Sequence, residues 1–185
     1  MALFKHKPLR LTIQFVEMII FCGFIILSGC DVVYRYLDKA GAEEKELLGE
    51  LAPLEKNTRA EEIQVLLKIY GYYSGKVDGV LGANTRSAIE RFQQDNGLKI
   101  TRFVDRKTLG RLVIFQEDHL IVKKRLNIKL IQEILKGKGF YTGAIDGKWG
   151  PKTKEAMEDF QAAHELEPDG KAGYKTLSQL AIYLK

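Results

Sequence analysis

Cysteine is nearly absent from this chain: two residues in 185, Cys22 and Cys30. Both lie in the first 30 residues, so the rest of the chain has no thiol pair to close a disulfide. Histidine is almost as scarce, with three residues and no His/Asp/Cys cluster at metal-ligand spacing. No Gly-x-Ser-x-Gly elbow and no Cys-His pair is present, so a nucleophilic enzyme is not indicated. Carboxylates are plentiful, but nothing sets two of them across a cleft. No metal, no cofactor and no catalytic residues are expected, and the chain reads as a non-enzyme. Charge of one sign is also lacking: the net charge is +5 over 185 residues, too weak to argue for nucleic acid. Long apolar runs are missing as well. The longest uninterrupted one is Met18–Leu27, ten residues. As a helix it would span about 15 Å, roughly half of a bilayer's hydrocarbon core. Extending it backwards to Phe15 crosses Glu17, which is costly in lipid.

What is present is a repeat. The stretch YYSGKVDGVLGANT (Tyr72–Thr85) returns as FYTGAIDGKWGPKT (Phe140–Thr153), at a constant offset of 68 residues. The same offset places Asp78-Gly79 on Asp146-Gly147, Phe92-Gln93 on Phe160-Gln161, and Lys107-Thr108-Leu109 on Lys175-Thr176-Leu177. No gap is needed, so the chain carries a tandem duplication. Each copy reads as three helices. In the first copy a capping-box pattern at Thr58–Glu61 opens helix one, with Ile63, Leu66, Leu67 and Tyr70 at helical spacing. Helix two is expected from about Ala83 to Asn96, and helix three carries Leu109, Leu112, Val113 and Phe115. In the second copy Asn127 is the expected cap, and Pro151 stands at the first position of helix two. Phe92, Leu109, Phe160 and Leu177 are assigned to the core. The predicted fold class is all-α: two tandem three-helix bundles with glycine-rich loops, after an N-terminal signal and tether.

The N-terminal segment has the plan of a secretory signal: a basic start, an apolar run of ten, then LSGC at Leu27–Cys30. This ending resembles the lipobox of bacterial lipoproteins, which implies lipid on the Cys30 thiol and a membrane anchor after cleavage. The expected organisation is a signal peptide over 1–29, a tether over 30–57 with a short helix around Glu43–Leu48, repeat one over 58–116, a connector over 117–126, and repeat two over 127–185. Residues 116–126 either extend a helix or form a short strand.

The repeats resemble the peptidoglycan-binding domain of the small three-helix type, whose pattern includes Leu-Gln, Gly-Tyr/Phe-Tyr, two Asp-Gly-x-x-Gly-x-x-Thr loops and Phe-Gln. Repeat two follows it nearly throughout, with IQEIL, GFYTGAIDGKWGPKTKEAMEDFQ and LEPDGKAGYKTL. Repeat one departs in its second loop, where Thr101-Arg102 and Asp105 replace Asp169-Gly170 and Gly173. The resemblance implies a non-catalytic lipoprotein that binds peptidoglycan and links it to the membrane through Cys30. A cell-wall hydrolase or envelope protein is the implied further partner. A protein-interaction adaptor on the same fold is the alternative. Implied contact residues are Tyr141, Asp146, Gly147, Lys148, Asp169 and Gly170, with the two loops converging at one end of the module. The Asp-Gly pairs are also good turn chemistry in their own right. Trp149 aligns with Leu81 and reads either as core or as a platform for a sugar ring. Because Arg102 cannot adopt a glycine conformation freely, repeat two is expected to carry most of the affinity.

Overall fold

The computed structural model describes residues 35–49 and 56–184. The segment expected to be a signal, the LSGC motif and Cys30 lie outside the described residues. Among the described residues seven helices make up most of the fold, which is all-α apart from one two-stranded hairpin. Residues 35–48 form α1. Module one holds α2 (Thr58–Ile69), α3 (Ala83–Asp95) and α4 (Arg106–Glu117). Module two holds α5 (Ile128–Gly137), α6 (Pro151–Ala163) and α7 (Tyr174–Ala181), closed by a 3₁₀ turn over Ile182–Leu184. Among the described residues, no helix is long and apolar enough to cross a membrane.

Local chemistry sets most boundaries. Asn127 caps α5 by accepting from the Leu130 N–H, and Asp105 caps α4 by accepting from the Thr108 N–H. The cap of α2 is a correction. Asn57, one residue before the expected Thr58, accepts from the N–H groups of Arg59 and Ala60. Its extended backbone (φ −135°, ψ 129°) lets the short amide reach both, so Thr58 already lies inside the helix.

The connector does both things the sequence left open. Helix α4 runs to Glu117, and β1 (Ile121–Val122) then pairs antiparallel with β2 (Arg125–Leu126). The turn between them is Lys123-Lys124, with φ of 50° and 61°. Two left-handed residues give the twist that a two-residue hairpin needs. Ile121 faces inward and is buried, while Val122 is exposed.

The expected tether is corrected over 35–48. Gly41 does not break the helix there, because α1 rests on module one. Ala40 and Glu44 are buried, and Gly41 lies over the Phe103 ring, where a Cβ would sit 3.5 Å from the nearest ring carbon. Arg59 donates to the Leu47 carbonyl and the Asn57 amide to that of Leu48, which pins the end of α1 beside the start of α2.

The apolar helix faces of both modules merge into one core. Ile63, Leu66, Leu67, Ile89, Phe92 and Leu112 fill module one, and Ile131, Leu135, Met157, Phe160, Leu177 and Leu180 fill module two. Tyr174 at the start of α7 joins them. Its ring sits edge-on to Tyr70 and Phe92, with centroids 5.2 and 5.3 Å away, and 5.1 Å from Phe115. Edge-to-face contacts of this kind add to plain area burial.

Candidate functional site

Four buried glutamines organise the loops: Gln64, Gln93, Gln132 and Gln161 are each at most 2% exposed. A primary amide offers two donors and an acceptor with two lone pairs, so one side chain can tie several backbone groups. Gln132 of α5 donates to Asp146 Oδ1 (2.9 Å), the Lys148 carbonyl (3.1 Å) and Thr153 Oγ1 (3.0 Å), and accepts from the Gly147 N–H (2.8 Å). Gln161 of α6 repeats this with Asp169 Oδ1 (2.8 Å), the Lys171 carbonyl (2.9 Å), Thr176 Oγ1 (3.1 Å) and the Gly170 N–H (2.8 Å). Gln64 does the same for Asp78, Gly79, Val80 and Thr85. Each module is thus two copies of one smaller unit: a helix, a loop pinned to its glutamine, and a threonine in the next helix.

The fourth unit corrects the expectation for Arg102. Gln93 accepts from the N–H groups of Thr101 and Arg102 and donates to Thr101 Oγ1, the Phe103 carbonyl and Thr108 Oγ1. Arg102 takes φ 65°, the same left-handed turn as Gly170. Such a conformation costs a residue with a Cβ about 1–2 kcal/mol. The two Gln93 bonds to the turn hold it, and the long side chain leaves the loop to meet Glu90 (3.4 Å). The second loop of module one therefore keeps the turn that its sequence seemed to lose.

The loops return along the helices they leave. In module two Lys136 reaches the Gly143 carbonyl, Gln132 reaches Asp146, and the Lys129 stem lies against Gly147. The second loop runs back along α6, from Gln161 at Asp169 to the Lys154 stem against Gly170. Neighbouring residues in the first turn of α6 thus meet the two turns: Thr153 bonds the first, and Lys154 covers the second. Both turns thus lie beside the N-terminal half of α6, with Asp146, Gly147 and Lys148 on the Thr153 side and Gly170 on the Lys154 side, while Asp169 also lines the groove toward module one.

Tyr141 does not join that face. It is 6% exposed, its hydroxyl donates to the Ala144 carbonyl (2.8 Å), and a Cβ on Gly143 would collide with its phenol. It holds the loop from within. Gly170 is also buried, with its N–H given to Gln161. Asp146 and Lys148 are exposed, and Gly147, Trp149 and Asp169 are half-buried. Trp149 packs against the core.

The aspartates are held as carboxylates. The Gln64 amide and the Val80 N–H keep Asp78 below the usual carboxylate range, and the Gln132 amide and the Lys148 N–H do the same for Asp146. For Asp169 burial acts most strongly and pushes upward. The Lys171 N–H, the Gln161 amide and the Lys171 charge together outweigh it, and the net shift is downward.

A groove of about 490 Å³ runs between the modules. Its walls include Lys68, Tyr72 and Asp95 from module one, and Asp169, Lys171 and Lys175 from module two. Sequence reasoning missed this surface and the role of the glutamines. The readable signal for the latter was a spacing. Asp78–Thr85, Thr101–Thr108, Asp146–Thr153 and Asp169–Thr176 are each seven residues apart, and each pair shares one glutamine.

The family described as "Putative peptidoglycan binding domain" matches residues 56–112 and 124–180. A localization factor, PodJL of Caulobacter vibrioides, is 40% identical over 68 residues, covering 37% of this chain and 7% of that protein. A spore cortex-lytic enzyme of Bacillus cereus is 44% identical over 52 residues, 28% of this chain and 20% of the enzyme. The N-acetylmuramoyl-L-alanine amidase CwlM of Mycobacterium tuberculosis is 29% identical over 108 residues, 53% of this chain and 26% of the amidase. The chain thus spans about a quarter or less of each of these relatives. No solved structure matches it. Two matched segments that together exceed half of the chain, each built on the same glutamine-pinned loops, make this chain a member of the peptidoglycan-binding domain family, with two copies in tandem.

Proposed function

We propose that this chain is a non-catalytic cell-wall-binding lipoprotein, which holds peptidoglycan through its modules and the membrane through lipid on Cys30. The observation that carries the reading is the double family match over residues 56–112 and 124–180. Wall-lytic relatives share only this part with the chain, and in them the shared part is a small fraction of the protein. The LSGC motif after a short apolar run supports an extracytoplasmic, membrane-attached location.

The contact face is the surface of module two formed by the two turns, with Asp146, Gly147 and Lys148 on one and Asp169 on the other. Exposed charge of both signs beside backbone turns suits the carboxylates, amines and hydroxyls of a peptidoglycan strand. Module two carries most of the affinity. Support for that ranking comes from α1, which covers part of module one, and no longer from Arg102. Two linked modules also raise avidity where both engage.

Co-sedimentation of the full chain with purified sacculi tests the reading. The chain is expected in the pellet at physiological salt, and Lys148→Glu is expected to shift it to the supernatant. A chain that stays in the supernatant at low and physiological salt would refute it. A second reading, an adaptor that docks an envelope protein, is favoured by the match to a localization factor. That reading requires failure on sacculi and capture of a defined envelope protein.

A further inference from the structure

Helix α1 seats an acid on module one as a binding site seats a ligand. The Glu44 side chain is 5% exposed. Its Oε1 accepts from the Val104 N–H (2.9 Å), and both oxygens accept from Arg86 Nη1 (2.7 and 2.6 Å). Next to it, Glu43 Oε1 accepts from the Arg106 N–H (3.2 Å) and faces the Arg106 Nε (3.3 Å). Module one orients Arg86 by itself: the guanidinium also donates to the Arg102 carbonyl (3.2 Å) and lies 4.5 Å over the Phe103 ring. A stacked guanidinium beside main-chain N–H groups is an arrangement that recognises carboxylates.

The module fold does not require this acid. In module two Lys154 takes the place of Arg86 and pairs with Glu158 (3.2 Å), and Ala172 takes the place of Val104. Among the described residues no acceptor takes the Ala172 N–H, yet the same three helices and glutamine-pinned loops form. The Glu44 contact is therefore added to a module that is complete without it. Apart from Glu44, α1 buries only Ala40 among its described residues, and its other ties are polar: Arg106 pairs with Glu46 (2.9 Å), and Arg59 and Asn57 donate to the Leu47 and Leu48 carbonyls.

We propose that the Arg86–Val104–Arg106 face of module one is a carboxylate-binding site with Glu44 as its intramolecular occupant. Helix α1 gates module one, and a peptide carboxylate enters when α1 lifts. That the carboxylate belongs to a wall peptide rests on the peptidoglycan reading above. The site and its gate do not.

The test uses the full chain and follows the backbone amide signals of Val104 and Arg106 by NMR. The probes are N-acetyl-D-alanyl-D-alanine and its C-terminal amide, which lacks the carboxylate. Two variants open the site by different routes: Glu44→Ala removes the occupant, and Ala40→Lys lifts the helix while keeping Glu44, Arg86 and Val104 as they are. In both, the acid probe should move the two signals at a concentration at least about tenfold lower than in the wild-type chain, because the tethered occupant no longer competes. The amide probe should leave them still, and Glu44→Ala combined with Arg86→Ala should abolish the response. Equal responses in wild-type and opened chains, no response to the acid at millimolar levels, or equal responses to acid and amide would each overturn the proposal. Sedimentation with sacculi reads the other proposal separately. A chain that ignores sacculi but passes this titration keeps the site and loses the wall as its ligand.

Discussion

Replacing Gln132 with Leu removes the tie that gives the first loop of module two its shape. The two side chains are close in size and the position is fully buried, so the change is chiefly the loss of the amide. The Gly147 N–H, half-buried, is left without its acceptor, at about 1–3 kcal/mol for an unsatisfied group. The Lys148 carbonyl and Thr153 Oγ1 keep their bond to each other (3.3 Å) but lose the amide, at about 1 kcal/mol each. Asp146 is exposed and regains water, so little is charged to it. Burying the Leu returns about 1 kcal/mol, which leaves a net loss of about 3 kcal/mol. The assay is urea unfolding of the full chain, followed by fluorescence of Trp149, the single tryptophan, which lies in the affected loop. With a urea slope of about 2 kcal/mol per molar, the midpoint should fall by about 1.5 M. A fall below about 0.5 M would mean that the loop holds its shape without the glutamine, and would refute the reasoning.

Further outcomes follow from the same contacts. Tyr174→Ala should cost about 2 kcal/mol and split one unfolding transition into two, because Tyr174 packs its ring on three aromatics of module one; calorimetry of the full chain reads both. Arg102→Gly should change stability by less than about 1 kcal/mol, since the backbone is already left-handed and the Glu90 pair is exposed. Gly170→Val should cost more than about 2 kcal/mol, because a Cβ would meet the Lys154 Cγ at 2.6 Å in a left-handed turn; both variants are read by urea midpoint. Asp78, Asp146 and Asp169 have depressed folded-state pKa values, so their contribution is present above the ordinary carboxylate pKa of about 4 and is lost as pH falls through the folded values. Urea midpoints measured from pH 6 down to about pH 2 should decline below about pH 4, and less steeply in Asp169→Asn. Cys30→Ser should abolish labelling by a radioactive fatty acid in a bacterial host, and normal labelling would end the lipobox reading.

The residue string by itself determined the duplication, the helical class and most of the apolar core. Those signals are local. Ile63, Leu66, Leu67 and Tyr70 fall on one helix face by spacing alone, and Asn127 and Asp105 cap helices through bonds that reach three residues on. Even the seven-residue Asp–Thr interval could be read directly. Its meaning could not, because Gln132 meets Asp146 and Thr153 only after the chain has folded back along α5. The tertiary structure likewise decided that Arg102 fills a glycine turn, which required Gln93 to arrive from the preceding helix. It turned Tyr141 from a contact into a pin, since the Ala144 carbonyl and Gly143 enclose its phenol. It also drew α1 out of the expected tether, because Glu44 finds Arg86 42 residues and Val104 60 residues further along the chain. Periodicity and turn chemistry act within a few residues, whereas the partner of a buried polar group is set by which distant segment packing brings within about 3 Å.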